Sequence, residues 1–166
     1  MNVFNFKISD KLLTMRTIKI LSVLTTLLLA NLAFSQADCA KMPVEQGTIG
    51  SLYGYRIHPN TSTKKFHAGI DIRAKHGNSV YAAFDGKVVE AKKRSKGYGN
   101  TIKIMHENGL VTLYAHLSAF SVKRGDFICK GKVIGKIGTT GNATGPHLHF
   151  EIIENKKKVN PLEYLL

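Results

Sequence analysis

Short runs of alternating apolar and polar residues, separated by glycine-bearing turns, fill the chain from residue 79 onward. Ser79-Val80-Tyr81-Ala82-Ala83-Phe84 leads into Asp85-Gly86 and then Lys87-Val88-Val89-Glu90-Ala91, a pattern that predicts a β-hairpin. Residues 101–106 alternate, Asn108-Gly109 marks a turn, and residues 110–116 supply the returning arm of a second hairpin. Further strands are expected over 127–137, punctuated by Gly131 and Gly135, and a last long strand over 147–153. The stretch 138–146 reads as a loop that delivers the chain into that strand. Outside the N-terminal region no window carries a helical period, and no internal repeat or low-complexity linker interrupts the pattern. The expected class is therefore mainly β: one compact domain of antiparallel β-sheet.

The N-terminal region breaks this pattern. Lys7, Lys11, Arg16 and Lys19 stand against a lone Asp10, an unbroken apolar-rich run covers 20–30, and small residues follow at Ser35 and Ala37. That order reads as a secretory signal over residues 1–37, with cleavage after Ala37 and a more compact form if translation starts at Met15. A retained membrane anchor is the other reading, for which the apolar run is short. Residues 38–49 then form a short N-terminal segment and 50–166 the main domain. At 166 residues with 43% hydrophobic content, the chain suits a single domain with a real core. Cys39 and Cys129 permit a disulfide in an exported protein, or lipidation of Cys39, although Gln36-Ala37-Asp38 is a poor lipobox.

Charge narrows the partner. The chain carries 24 basic and 11 acidic residues, net +13. Removing 1–37 takes away four basic residues and one acidic residue, leaving 20 and 10, so the exported part keeps +10. Such a surplus points to an anionic partner: nucleic acid, an acidic membrane surface or a wall polymer. Nucleic acid is set aside, because the chain reads as exported and bears no nucleic-acid-binding motif. The densest basic stretches, 92–96 and 156–158, read as solvated loop charge.

Five residues carry candidate chemistry. In the strand His147-Leu148-His149 both imidazoles project from one face, because side chains two apart point the same way. In Phe66-His67-Ala68-Gly69-Ile70-Asp71 a strand entered from a loop would put His67 and Asp71 on one face by the same alternation. His116 ends another strand. Two imidazoles and a carboxylate suffice to hold a zinc ion with one position open, and the imidazoles left over suit proton transfer. Each pair alone also fits ordinary surface groups; the combination favours a metal site. A His-Glu-x-x-His helix site is excluded, since His106-Glu107 runs into Asn108-Gly109-Leu110, and there is no Gly-x-Ser-x-Gly elbow. The loop at 138–146 lacks the Lys-Ser or Lys-Thr of a P-loop. His76 and His106 read as surface or structural residues.

The ordered set Gly54-Tyr55-Arg56-Ile57-His58-Pro59, Phe66-His67-Ala68-Gly69-Ile70-Asp71-Ile72, Gly97-Tyr98-Gly99-Asn100, Leu113-Tyr114-Ala115-His116-Leu117 and Gly145-Pro146-His147-Leu148-His149-Phe150-Glu151 resembles the lysostaphin/LytM-like family of zinc peptidoglycan endopeptidases, over about residues 50–164. The resemblance implies a lysostaphin/LytM-like sheet domain with a groove bordered by loops. It implies Zn2+ held by His67, Asp71 and His149, with His116 and His147 as the catalytic histidines. The implied partner is peptidoglycan, cut in its peptide stems or cross-bridges by a monomer exported to the periplasm or cell wall, with no membrane contact after signal removal. Tyr98, Asn100 and His58 are the expected substrate contacts. Two alternatives stay open: a non-catalytic wall-binding or amidase-activating module, and a metallopeptidase acting on a protein substrate.

Overall fold

The computed structural model describes residues 40–57 and 63–166; the expected signal at 1–37, Cys39 and His58 lie outside them. In chain order the strands are β1 Thr48–Ser51, β2 Gly54–Ile57, β3 Lys64–His67, β4 Ile70–Arg73, β5 Ser79–Tyr81, β6 Gly86–Lys92, β7 Thr101–Met105, β8 Val111–Ala115, β9 Leu117–Phe120, β10 Phe127–Ile128, β11 Val133–Ile137, β12 His147–Glu154 and β13 Lys157–Val159. A single turn of helix, α1 Leu162–Leu165, follows; its four residues are too few to give a period in the sequence. No helix among the described residues is long and apolar enough to cross a membrane.

The strands are antiparallel and divide into three sheets. The largest runs β1-β4-β12-β8-β7-β6-β10, with β13 also paired to β12. A three-stranded sheet, β5-β11-β9, and the β2-β3 hairpin complete the fold. Strand β12 is the centre of the design. Its Leu148, Phe150 and Ile152 are fully buried on one face, against a cluster that includes Ile70, Ile72, Ile102, Ile104, Tyr114, Val80, Ile134 and Ile137 from both larger sheets. Its other face carries His147, His149 and Glu151. Burying one face of the strand thus fixes which side chains the other face presents.

Three expectations need correction. The hairpin expected at 79–91 does not form: β5 pairs with β11, while β6 pairs with β7 and β10. The intervening residues cross from one sheet to the other. Ala82 N–H donates to the Lys132 carbonyl, Ala83 N–H to the Tyr114 hydroxyl, and Lys130 N–H to the Asp85 carboxylate. These bonds hold the Asp-Gly turn away from its nearest strand neighbour. Secondly, the folded unit starts ahead of residue 50, since Val44 is buried in the core and β1 begins at Thr48. Thirdly, His67 and Asp71 do not share one strand. His67 ends β3, Asp71 lies in β4, and Gly69 between them leaves no room for a side chain, as a Cβ there would stand 2.2 Å from the Phe150 carbonyl oxygen. The hairpin expected over 101–116 is present as β7 and β8, closed by a turn in which Gly109 takes φ +80.

Candidate metal centre and groove

Register builds the site. In the central ladder His149 of β12 stands opposite Asp71 of β4 on one side and Ala115 of β8 on the other. His67 reaches the same point from the end of β3. Three atoms then face one another: His67 Nε2 and Asp71 Oδ1 at 3.1 Å, His67 Nε2 and His149 Nδ1 at 3.1 Å, and His149 Nδ1 and Asp71 Oδ1 at 2.8 Å.

The far side of each ring decides what these atoms are. His67 Nδ1 lies 2.7 Å from the Leu52 carbonyl, which only accepts, so this nitrogen carries the hydrogen and Nε2 is bare in the neutral ring. His149 Nε2 lies 3.0 Å from Glu151 Oε1, which leaves Nδ1 bare by the same logic. An ionised Asp71 adds only acceptor oxygens to the group. Three lone-pair atoms therefore converge with no donor among them. A tetrahedral ion with bonds of about 2.0–2.1 Å needs ligand atoms roughly 3.3 Å apart, close to the observed triangle. The donor set fits a metal ion, and His67, Asp71 and His149 form a group that could hold one.

Glu151 is the residue that sequence reasoning missed. It is fully buried, and its Oε1 accepts from His149 Nε2, from the Tyr98 hydroxyl at 2.7 Å and from Lys158 Nζ at 3.1 Å. Burial opposes its ionisation, but His149, Tyr98 and Lys158 outweigh burial and keep the carboxyl below its ordinary range. Its Oε2 is buried with no partner among the described residues. Lys158 is accordingly not free loop charge: it donates to Tyr98 as well, at 2.8 Å.

His116 and His147 face each other beside the donor cluster, with ring centroids 4.8 Å apart. His116 follows β8 at φ 61, a backbone state that non-glycine residues rarely adopt, held by its N–H on the Tyr98 carbonyl. Its Nδ1 donates to the Thr140 carbonyl at 2.8 Å, and His147 Nδ1 donates to the Gly145 carbonyl at 2.8 Å. Both rings keep a bare Nε2, and that of His147 stands 3.8 Å from Asp71 Oδ1. Burial pushes the His116 imidazole down to about 4 against the pull of the Thr140 carbonyl, and the neighbouring His147 and His149 add to the drop.

An open groove of about 1220 Å³ runs over this face. Tyr98, Arg56, Arg73 and Lys75 line it together with the five residues above. Asn100 does not line it, contrary to expectation. Its amide donates to the Leu117 carbonyl and accepts from Arg94 N–H, so it ties the 94–100 loop to the start of β9. His106 is structural, as expected, bonded to the Asp85 carbonyl and the Thr112 hydroxyl. His76 is exposed, and Cys129 is exposed with no disulfide partner among the described residues.

An antiparallel sheet whose buried His-Asp-His donors open onto a groove defines a metallopeptidase fold. Within that class, the chain belongs to peptidase family M23, which it matches over residues 65–161. It is 48% identical over 124 residues to the DD-carboxypeptidase/endopeptidase Mpg of Neisseria meningitidis, covering 75% of this chain and 28% of that one. To the peptidoglycan DD-endopeptidase ShyC of Vibrio cholerae it is 42% identical over 106 residues, covering 64% and 24%. The chain thus spans under a third of the length of these curated relatives. Among solved structures, the catalytic domain of lysostaphin from Staphylococcus simulans superposes with a TM-score of 0.64 at 35% identity, covering 72% of this chain and 92% of that one.

Proposed function

We propose that the chain is a zinc-dependent endopeptidase that hydrolyses peptide bonds in the stems or cross-bridges of peptidoglycan. The observation that carries this reading is the convergence of His67 Nε2, His149 Nδ1 and Asp71 Oδ1, three acceptors with no donor between them, at the floor of an open groove. These three residues hold the ion. Bound there, zinc supplies Lewis-acid polarisation of the scissile carbonyl and makes a water easier to deprotonate.

The chain's own residues do the rest. His116 and His147 present bare Nε2 atoms beside the donor cluster and take the proton of the attacking water. A proton on His116 is weakly held, since burial keeps its imidazole down to about 4, so it passes readily to the leaving amine. Glu151 and Lys158 hold Tyr98 at the groove wall, where its ring faces His149 at 5.5 Å. ShyC is named a peptidoglycan DD-endopeptidase and Mpg a DD-carboxypeptidase/endopeptidase, and the ShyC name supports a wall substrate. Residues 1–37 act as the export signal, and the +10 of the remainder holds the enzyme against an anionic wall polymer.

Digestion of purified peptidoglycan followed by mass spectrometry of the muropeptides tests this. Cleaved stem or bridge peptides are expected, lost with a chelator and restored by added zinc. Products cut only at the sugar–peptide junction, or none at all, would contradict the reading.

A further inference from the structure

The groove holds a positive charge that the donor cluster does not use. Arg73 lies two residues beyond Asp71 on β4, on the same face, and stands directly opposite His147. Its side chain crosses β1 at Gly50, the extra residue of a bulge between Ile49 and Ser51. A Cβ at Gly50 would stand 2.6 Å from Arg73 Nε and 2.7 Å from its Cγ, so the glycine is what lets the arginine lie there. Arg56, on β2, reaches Asp71 Oδ2 with Nη2 at 3.5 Å, and its Nε is buried without a partner among the described residues. Arg73 has no acidic partner among the described residues. Besides Asp71, the acid on this groove is Glu45, which is already paired with Lys41 at 2.9 Å.

We propose that Arg56 and Arg73 form a subsite for a free α-carboxylate on the residue whose amine is released. The proposal rests on the peptidase reading and names the substrate within it. A residue that gives up its amine while keeping its own carboxylate puts that anion within one residue length of the scissile carbonyl. Two residues along a strand span roughly 7 Å, so an arginine anchored at position 73 covers that distance from the Asp71 donor. Guanidinium groups suit a carboxylate because their planar fork donates in parallel pairs. Two cuts meet this description: removal of a C-terminal residue, and release of an amine that shares its carbon with a free carboxyl in a cross-link. A cut inside a glycine bridge does not, since neither flanking residue has a free carboxylate. The structure thus favours one of the two bond classes left open by the fold.

The test uses the full zinc-loaded protein and two peptide substrates, identical except that the leaving residue ends in a carboxylate or in its amide. Wild type is expected to favour the carboxylate by at least about ten-fold in kcat/KM, the scale of a charge-assisted hydrogen-bond pair. Arg73→Gln is expected to bring that ratio within about three-fold of unity, and Gly50→Ala, which keeps the charge but displaces the arginine stem, to lower it in the same direction. Lys123→Gln, outside the groove, keeps the ratio. Calorimetric binding of the carboxylated product against its amide reads the same preference without turnover. Equal rates on both substrates by wild type would overturn the subsite while leaving the peptidase reading intact. Cleavage of neither would overturn both.

Discussion

At the scale of single residues, Glu151 does most to define the centre after the donors themselves. It fixes the ring of His149 by taking the hydrogen on Nε2, and it brings Lys158 and Tyr98 to the same oxygen. Outer carboxylates of this kind orient a ligating imidazole and raise its basicity. Glu151→Gln preserves shape but removes the charge, and it should weaken zinc binding by about 10–100-fold. A competition titration against a chromophoric chelator measures this; unchanged affinity would show that Glu151 serves only packing. The sequence made the pairing of His147 with His149 legible, because a period of two needs no tertiary information. The same period, carried two residues further, reaches Glu151, and carried on from Asp71 it reaches Arg73. Neither stood out in the sequence, because a charged residue in an alternating strand has the pattern of an ordinary solvent-facing position.

At the scale of elements, strand order decided what local pattern could not. His67 and Asp71 meet because β3 ends where β4 begins to pair with β12, a contact between two sheets that no spacing of four encodes. The failed hairpin at 79–91 has the same origin: its turn chemistry is right, but each arm has a better partner elsewhere. Gly69 sits at the first of these junctions. Gly69→Ala would force its Cβ against the Phe150 carbonyl and Glu151 Cγ, at 2.2 and 2.9 Å. It is expected to cost about 1–3 kcal/mol and to loosen zinc, whereas Gly145→Ala, with open space around it, changes stability little. Urea unfolding of the two variants makes the comparison, and equal stabilities would contradict it. Tyr114 reports on the opposite face of the same sheet. Burial raises its hydroxyl from 10.0 to about 12, and that hydroxyl accepts from Ala83 N–H. Because the folded value lies above the unfolded one, its contribution is complete below pH 10 and is lost as pH rises towards about 12. Tyr114→Phe should lose about 1–3 kcal/mol at pH 8, from the orphaned amide, and show a shallower decline than wild type between pH 10 and 12. Parallel slopes for the two proteins in urea unfolding across that window would refute the assignment.

At the scale of the whole molecule, three parts of the chain converge on one groove. The β2-β3 hairpin brings Arg56 and His67, the centre of the large sheet brings Asp71, His147 and His149, and the loop after β8 brings His116. The class of fold was legible because the strands over 79–91, 101–116, 127–137 and 147–153 announce themselves by alternation and turn residues, whereas β1, β2, β9 and β13 did not stand out. The division into three sheets was not, since it depends on which strands pair over long separations. The proposed site rests on a division of labour in which His67, Asp71 and His149 hold the ion while His116 and His147 move protons. Metal content measured by mass spectrometry beside lysis of purified wall tests that division directly. Wild type should carry about one zinc per chain. His149→Ala should lose both metal and lysis, whereas His147→Ala should keep the metal and lose lysis. Full lysis by His149→Ala, or loss of the metal from His147→Ala with His149→Ala still loaded, would contradict the account.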